Sequence, residues 1–226
     1  NITANNIANV TTTGFKRESV SFDSYLSQPT PKQTFLFAID QGTYRDTGPG
    51  STITTGNQLD VSIQGEGYIP IQTKTGIMYT RAGAFQLNME GELVTAKGDK
   101  VLGDGNQILS VPPEASDILI SPDGTMTATS GPGAAPIQVG KLSVMKFEDE
   151  QEMIPMGDGL YRTNQVPTLS ADSRLVQGSI EQSNVQAVKE MTRMIEISRN
   201  YVRTAKLLNN EHKRIRTAIQ RLGKVA

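Results

Sequence analysis

The C-terminal part of the chain has a regular hydrophobic pattern. Eleven positions recur at spacings that alternate between four and three, which is the 3.5-residue repeat of a coiled-coil seam. They are Ala187, Met191, Met194, Ser198, Tyr201, Ala205, Leu208, His212, Ile215, Ile219 and Leu222. The pattern predicts one long amphipathic helix, whose apolar face is widened over its first half by Val188, Ile195 and Val202.

The ends of this helix have their own signals. Ser183 and Gln186 have the spacing of a capping box, and Gly223 suits the left-handed residue that follows a helix. A helix over residues 183–222 has about 40 residues and a length of about 60 Å, twice the diameter of a small domain. We therefore expect other molecules to cover most of its apolar face. The alternative is a helix that folds back on its own β body.

Residues 56–165 show a different pattern, in which short alternating stretches are separated by glycine-containing turns. Alternation is typical of half-buried strands, and the absence of crossover helices favours antiparallel pairing. The predicted strands are residues 51–55, 59–63, 68–73, 77–80, 84–88, 92–95, 118–121, 125–129 and 139–147, with a hairpin turn at Pro122-Asp123-Gly124. The predicted fold class is mainly β, an antiparallel β domain flanked by N- and C-terminal α-helical segments.

The remaining segments complete the predicted domain order. Residues 1–12 are too short for an independent helix and are expected to be the end of a helix that begins before Asn1, stopped by three threonines and Gly14. Residues 13–55 have weak periodicity and predict an extended linker or arm. Residues 166–181 predict a return connection from the β domain to the C-terminal helix of residues 182–226.

Composition and charge separate the same parts. All 11 prolines and 20 of the 21 glycines precede residue 182, so the tail contains no internal helix breaker. Residues 1–181 carry a net charge of −8 and residues 182–226 carry +7. The whole chain has a net charge of −1, which argues against a globally basic nucleic-acid-binding protein.

The chain offers little catalytic chemistry. It has no cysteine, no tryptophan and one histidine, which excludes thiolate sites and argues against histidine-based catalysis or a multi-histidine metal site. His212 lies on the predicted seam, where packing or hydrogen bonding is favoured over metal binding. The acidic run at residues 148–152 predicts a solvated loop. We therefore predict no enzymatic activity, no cofactor and no metal.

Three groups of residues resemble bacterial flagellar rod and hook proteins. One group resembles the family's N-terminal signature, another resembles the β-domain entry of the rod-type members, and the last resembles the C-terminal helix. The first group is residues 4–16 (ANNIANVTTTGFK). The second group is residues 55–61 (TGNQLDV), 65–68 (GEGY), 79–85 (YTRAGAF) and 91–95 (GELVT). The third group is residues 177–185 (QGSIEQSNV), 194–195, 199–201 and 218–219. They occur in the order that the family shows.

The resemblance implies a structural, non-enzymatic axial subunit of the flagellar basal-body rod. In that family the terminal helices pair and pack into an inner tube, the β domain forms an outer layer, and the tube transmits torque. Expected partners are copies of the chain, neighbouring rod and hook proteins and the flagellar export apparatus, which delivers subunits outside the cytoplasmic membrane. No nucleic acid and no membrane insertion is expected. The alternative within the family is a hook subunit or a hook-associated relative.

The predicted assembly interface lies on the two terminal segments. Asn5, Asn6 and Asn9 can bridge neighbouring subunits through paired amides, or they can cap and end a helix. Methionines suit adaptable packing in an interface, although simple core filling is the alternative. The full set is Asn5, Asn6, Asn9, Gly14, Phe15, Met191, Met194, Ile195, Tyr201, Leu208, Ile215, Ile219 and Leu222.

Two other classes of function stay open. A basic helix can bind nucleic acid, but here the lysines and arginines are spread along the helix rather than concentrated ahead of the seam. Salt-dependent DNA binding would support that class. A β-domain enzyme that acts on cell-wall glycans needs paired carboxylates, for which the sequence has no motif, and turnover of peptidoglycan would support it.

Overall fold

The structure, a computed structural model, describes residues 2–30, 33–115, 117–131 and 133–222. These residues form antiparallel strands between a short helix, α1 (Ile2–Ala8), and a long helix, α2 (Ala187–Leu222). The strands are β1 (Glu18–Thr30), β2 (Gln33–Arg45), β3 (Thr52–Thr54), β4 (Val61–Gln64), β5 (Ile69–Thr73), β6 (Gly76–Thr80), β7 (Phe85–Leu87), β8 (Leu93–Thr95), β9 (Lys100–Val101), β10 (Asp117–Ile120), β11 (Thr125–Thr129), β12 (Ile137–Lys141), β13 (Met145–Lys146), β14 (Ile154–Gly157), β15 (Leu160–Arg162), β16 (Thr168–Leu169), β17 (Arg174–Gln177) and β18 (Ser179–Glu181). The predicted fold class is confirmed.

The core of the β body lies between a large sheet and a smaller one. The large sheet has seven strands in the order β14-β15-β6-β5-β9-β8-β7, and the smaller one has the order β10-β11-β12. Their apolar side chains meet in one cluster together with residues of the β4–β17 pair. Burial of these alternating side chains is the main source of stability in the β body. The fully buried members include Ile69, Ile71, Leu93, Val101 and Met126.

A second, aromatic cluster packs beside this core. It contains Tyr68, Tyr79, Phe147, Met153 and Tyr161. The rings of Tyr79 and Phe147 meet edge to face, with their centroids 4.7 Å apart, a geometry that aromatic pairs prefer. This cluster supports the part of the body where the chain ends arrive.

Most of the predicted strands are observed. Eight of the nine agree with an observed strand to within two residues at each end, and the hairpin turn after β10 is confirmed. The ninth prediction, a single strand over residues 139–147, is wrong. That segment divides into β12, which pairs with β11, and β13, which pairs with β16, so its two ends belong to different sheets.

Pairing also occurs in segments predicted as connections. β1 and β2 form a long antiparallel hairpin, which pairs from Glu18 with Arg45 to Thr30 with Gln33. In the return segment, β17 pairs with β4, and β18 pairs with β3. The weak periodicity of residues 13–55 did not predict the hairpin. The division of the chain into domains stays a prediction.

The predicted start of the C-terminal helix is wrong by four residues. α2 begins at Ala187, and the hydroxyl of Ser183 accepts a hydrogen bond from the amide of Val185 at 3.2 Å rather than from that of Gln186. Ser183 and Val185 are both buried, so contacts with the body hold this stretch out of the helix. Gly223, predicted to end the helix, lies outside the described residues.

Candidate assembly surface and its anchor

Both ends of the chain join the β body at a buried cluster of three charged side chains, Lys16, Arg81 and Glu181, which we call the ion trio. Lys16 Nζ lies 2.6 Å from Glu181 Oε1, and Arg81 Nε donates to Glu181 Oε2 at 2.8 Å. Their side chains are at most 4% exposed. One carboxylate therefore connects the segment after α1, the β body and the segment before α2.

The remaining donors of the ion trio are directed at backbone carbonyls. Lys16 Nζ also donates to Gly48 O at 2.9 Å. Arg81 Nη1 donates to Gly67 O at 2.9 Å, and Nη2 donates to Gly65 O at 3.1 Å. Two cations share one anion, so these carbonyls compensate the excess positive charge that burial would otherwise make costly.

The electrostatics of the ion trio favour an ionised carboxylate. Burial raises the pKa of Glu181, but Arg81 and Lys16 together outweigh it and hold the pKa below its ordinary value of 4.5. Burial, and then the neighbouring Arg81, lower the pKa of Lys16 below its ordinary 10.5. Burial therefore opposes both charges, but the neighbouring cations keep the carboxylate ionised, whereas Arg81 adds to the effect of burial on the ammonium group.

Close backbone contacts surround the ion trio. The Gly14 amide donates to Glu181 O at 2.8 Å, and Gly14 has φ +69°, where a Cβ atom would lie 2.6 Å from Ala82 N. A Cβ atom on Gly50 would lie 1.9 Å from Gln182 O. Side chains at these two positions would separate the segments that the trio joins.

A second set of contacts holds the stretch before α2 and the first turn of α2. Asn184 Oδ1 accepts from the Arg17 amide at 2.6 Å, and Asn184 Nδ2 donates to Asp46 O and Gly48 O, both at 2.9 Å. Glu190 is buried and its Oε1 lies 2.8 Å from Arg17 Nε. The amide of Asn184 also donates to the carbonyl of Phe15, which is half-buried, at 3.3 Å. The root of α2 is therefore fixed to the segment that follows α1.

The asparagines of α1 have separate roles. Asn6 is buried, donates to Glu18 O at 2.7 Å and accepts from the Glu18 amide at 2.9 Å, so it attaches α1 to β1 within the chain. Asn9 Nδ2 donates to Asn5 O at 2.9 Å, which satisfies a carbonyl in the last turn of the helix. The exposed Asn5 donates to Glu18 Oε2 at 3.2 Å. Bridging between subunits stays a prediction for Asn5, Asn6 and Asn9.

Among the described residues, the apolar face of α2 is uncovered. The predicted interface residues on it are 39–76% exposed. They are Met191, Met194, Ile195, Tyr201, Leu208, Ile215 and Ile219. The side chain of Leu222 lies outside the described set, and His212 is exposed. Contiguous apolar surface of this kind marks an interaction site, and α2 does not fold back on the β body.

The exposed apolar surface is wider than the heptad seam predicted. Ile197 and Leu207 are also more than half exposed, although neither occupies a seam position. Near its root, α2 lies beside α1 and the start of β1, and the three enclose a groove of about 450 Å³. Apolar side chains of Ile2, Val20 and Met194 line this groove. The two terminal segments thus lie side by side at one end of the molecule.

Other candidate chemistry from the sequence has structural explanations. Glu150 accepts a hydrogen bond from the Tyr68 hydroxyl at 3.0 Å, and Asp149 caps the short 3₁₀ helix at Glu150–Glu152. Glu148, Asp149 and Glu152 are exposed, as a solvated acidic loop requires, and Glu150 is half-buried. In the described part of the chain, no three His, Cys, Asp or Glu side chains are grouped so that they could hold a metal ion.

Of the helices within the described ranges, none combines the length and the apolar character that crossing a membrane requires.

Sequence reasoning missed the ion trio although each member lies in one of the family-like stretches. Lys16 and Glu181 are 165 positions apart, so no local spacing connects them. The available signal was that three glycine-containing stretches, residues 4–16, 79–85 and 177–185, each contain a single charged residue. Such a signal indicates buried charges but does not say which of them pair.

Comparison with known proteins assigns the family. The family model "Flagellar hook protein FlgE/F/G D1 domain" matches residues 62–128. The model "Flagellar basal body rod FlgEFG protein C-terminal" matches residues 176–221. The first match covers much of the β body, and the second covers Glu181 and α2 as far as Arg221.

Full-length relatives give the same assignment. The flagellar basal-body rod protein FlgF of Caulobacter vibrioides is 37% identical, over 99% of this chain and 91% of the relative. The flagellar basal-body rod proteins FlgG of Agrobacterium fabrum and Bacillus subtilis are 34% and 32% identical, each over 92% of this chain and 87% of the relative. These are rod names, so the hook alternative is not better supported. The resemblance seen in the sequence is confirmed, and the chain belongs to the flagellar basal-body rod protein family.

Proposed function

We propose that this rod component assembles through α1 and α2, with copies of itself and with neighbouring rod and hook proteins, into a helical tube that transmits torque. In this proposal the terminal helices form the inner wall and the β body forms an outer layer. Membership of the family supports a location in the flagellar basal body. We further propose that the chain passes through the flagellar export apparatus and functions outside the cytoplasmic membrane.

The uncovered apolar face of α2 carries the proposal. A helix of 36 residues is about 54 Å long, and from Met191 onward its described side chains are exposed, apart from a half-buried Ala205. Covering this face within the chain would need a second long element, which the described residues do not place there. Heterologous contacts that repeat without closing a ring generate a helical filament, and this face supplies one side of such a contact.

The structure of α2 provides a matched test. Leu208→Asp with Ile215→Asp places two charges on the apolar face. Asn210→Asp with Thr217→Asp places two charges at the same seven-residue spacing on the roughly opposite face, because two residues advance the helix by about 200°. Each double variant is expressed in a strain that lacks the chain's gene, and basal bodies are isolated and counted by electron microscopy.

The proposal predicts opposite outcomes for the two double variants. The apolar-face variant should leave basal bodies without a complete rod, because burying two unpaired carboxylates opposes helix packing. The control variant should form rods as the wild type does. If both double variants form complete rods in equal numbers, assembly does not use this face of α2 and the proposal fails.

A further inference from the structure

The ion trio lies away from the exposed face of α2, so assembly through that face leaves it untouched. We infer that the trio sets the angle between α2 and the β body and holds that angle under torsional load, with Glu181 as the central positioning residue. This inference rests on the proposed function, because it assigns to one cluster the coupling between the helices and the outer layer.

The covalent connections alone leave α2 free to rotate. α2 joins the body through the stretch after β18, and β18 pairs only with the three-residue β3. α1 joins the body through the short stretch that precedes β1. Single-chain connections of this kind act as hinges unless other contacts restrain them.

Glu181 restrains both connections at once. Its Oε1 accepts from Lys16 Nζ at 2.6 Å and from the Gly50 amide at 3.0 Å, and its Oε2 accepts from Arg81 at 2.8 Å. Each oxygen thus holds a different part of the chain, and loss of the charge weakens both contacts together. The Arg17–Glu190 contact then carries the restraint into the first turn of α2.

The placement of the trio fits orientation better than stability. A buried ion cluster is often no more stabilising than apolar packing of the same volume, but its fixed donor geometry specifies one arrangement. Orientation matters here because α2 extends far from its root. A tilt of about 10° at the root moves the far end of a helix about 54 Å long by about 9 Å, which is the width of a neighbouring helix.

The absence of cysteine from the chain allows a direct measurement of the angle. Spin labels are attached through Met89→Cys, on a fully exposed turn of the β body, and Glu196→Cys, on an exposed part of α2. Pulsed electron resonance on the full chain at low concentration then gives the distribution of distances between the labels. Glu181→Gln keeps the shape of the side chain and removes its charge, whereas Arg81→Lys keeps the charge and removes the planar fork.

Loss of the trio should broaden the distance distribution. Glu181→Gln is expected to widen it by about twofold or more, and Arg81→Lys by less, because a released hinge samples many angles. Lys97→Met removes an exposed ion pair with Asp158 and should leave the width unchanged. If Glu181→Gln unfolds the β body, the width of the distance distribution in Arg81→Lys tests the inference instead. Unchanged widths in the folded variants overturn the inference.

Rotation under load tests the consequence in cells. In the strain that lacks the chain's gene, rods formed by the wild-type chain verify the proposed function itself. Glu181→Gln should then form rods, but the fraction of cells whose flagella keep rotating should fall about twofold or more in viscous medium relative to low viscosity, because a connection that is free to hinge no longer holds its angle under load. Failure of the wild-type chain to form rods overturns the proposed function. Equal load dependence of wild type and variant overturns only the inference.

Discussion

At the scale of single residues, Glu181 shows how a buried charge is kept ionised. Two cations and one backbone amide surround its carboxylate, and they hold its pKa below 4.5 although burial opposes this. Removing one partner from such a cluster leaves an uncompensated buried charge, which typically costs about 3–5 kcal/mol. The cluster is therefore sensitive to pH as well as to mutation.

The pH dependence of stability follows from the sign of that shift. A carboxyl whose pKa is lower in the folded chain contributes stability above its unfolded value of about 4.5, and the contribution is lost as pH falls through the folded pKa. Between about pH 5 and about pH 2, the unfolding free energy of the wild type should therefore fall more steeply than that of Glu181→Gln. Urea titrations at a series of pH values measure this, with Glu114→Gln, at an exposed position of the β body, as the control. Parallel curves for wild type and Glu181→Gln would contradict the prediction.

Gly14 gives a second test at this scale. Gly14→Ala should lower the unfolding free energy by about 2–4 kcal/mol, since the new methyl group meets a positive φ and a backbone nitrogen at 2.6 Å. Gly56→Ala shares the positive φ but meets nothing within 4 Å, and should cost about 1–2 kcal/mol. Urea unfolding of both variants separates the free-energy cost of the positive φ from the cost of the close contact. Equal losses would show that the junction tolerates a methyl group.

The sequence could predict some of these residues and not others. The exposed residues of the α2 face were predictable because helical spacing is a local property. The bond between Asn6 and Glu18, and the whole ion trio, were not, because each depends on chain segments that only the fold brings together. The sequence context of Asn6 gives no sign of its internal partner, and its predicted place in the interface stays a prediction.

At the scale of elements, the sequence prediction failed where tertiary contacts determine the local structure. The 3.5-residue repeat identified α2, but the capping box did not mark its start, because Asn184 is held by Arg17 and Asp46 and Val185 is buried in the body. The β1–β2 hairpin was missed because its two strands pair only with each other in the described structure. A two-stranded sheet of this kind does not require apolar and polar residues to alternate strictly along each strand. The strands of the main core were predictable, since burial on one face enforces that alternation.

At the scale of the whole molecule, the β body and α2 differ in how much of their apolar surface is buried. The β body has a continuous apolar core, whereas α2 contacts the rest of the chain mainly near its root. A helix without tertiary contacts is only marginally stable in water. Its basic charge, part of the +7 on residues 182–226, also disfavours close packing of parallel copies unless apolar contact compensates.

Association should therefore increase the helix content of the isolated protein. When copies bind through the apolar face, mass action stabilises the helical form of α2, so the helical signal in circular dichroism should rise over an about hundredfold increase in protein concentration. The increase should be absent in the Leu208→Asp, Ile215→Asp double variant and present in the Asn210→Asp, Thr217→Asp control. Analytical ultracentrifugation of the same samples shows whether the change accompanies association. A helical signal independent of concentration, in samples that do associate, would mean that α2 is fully formed before assembly and that its apolar face needs no partner to be ordered.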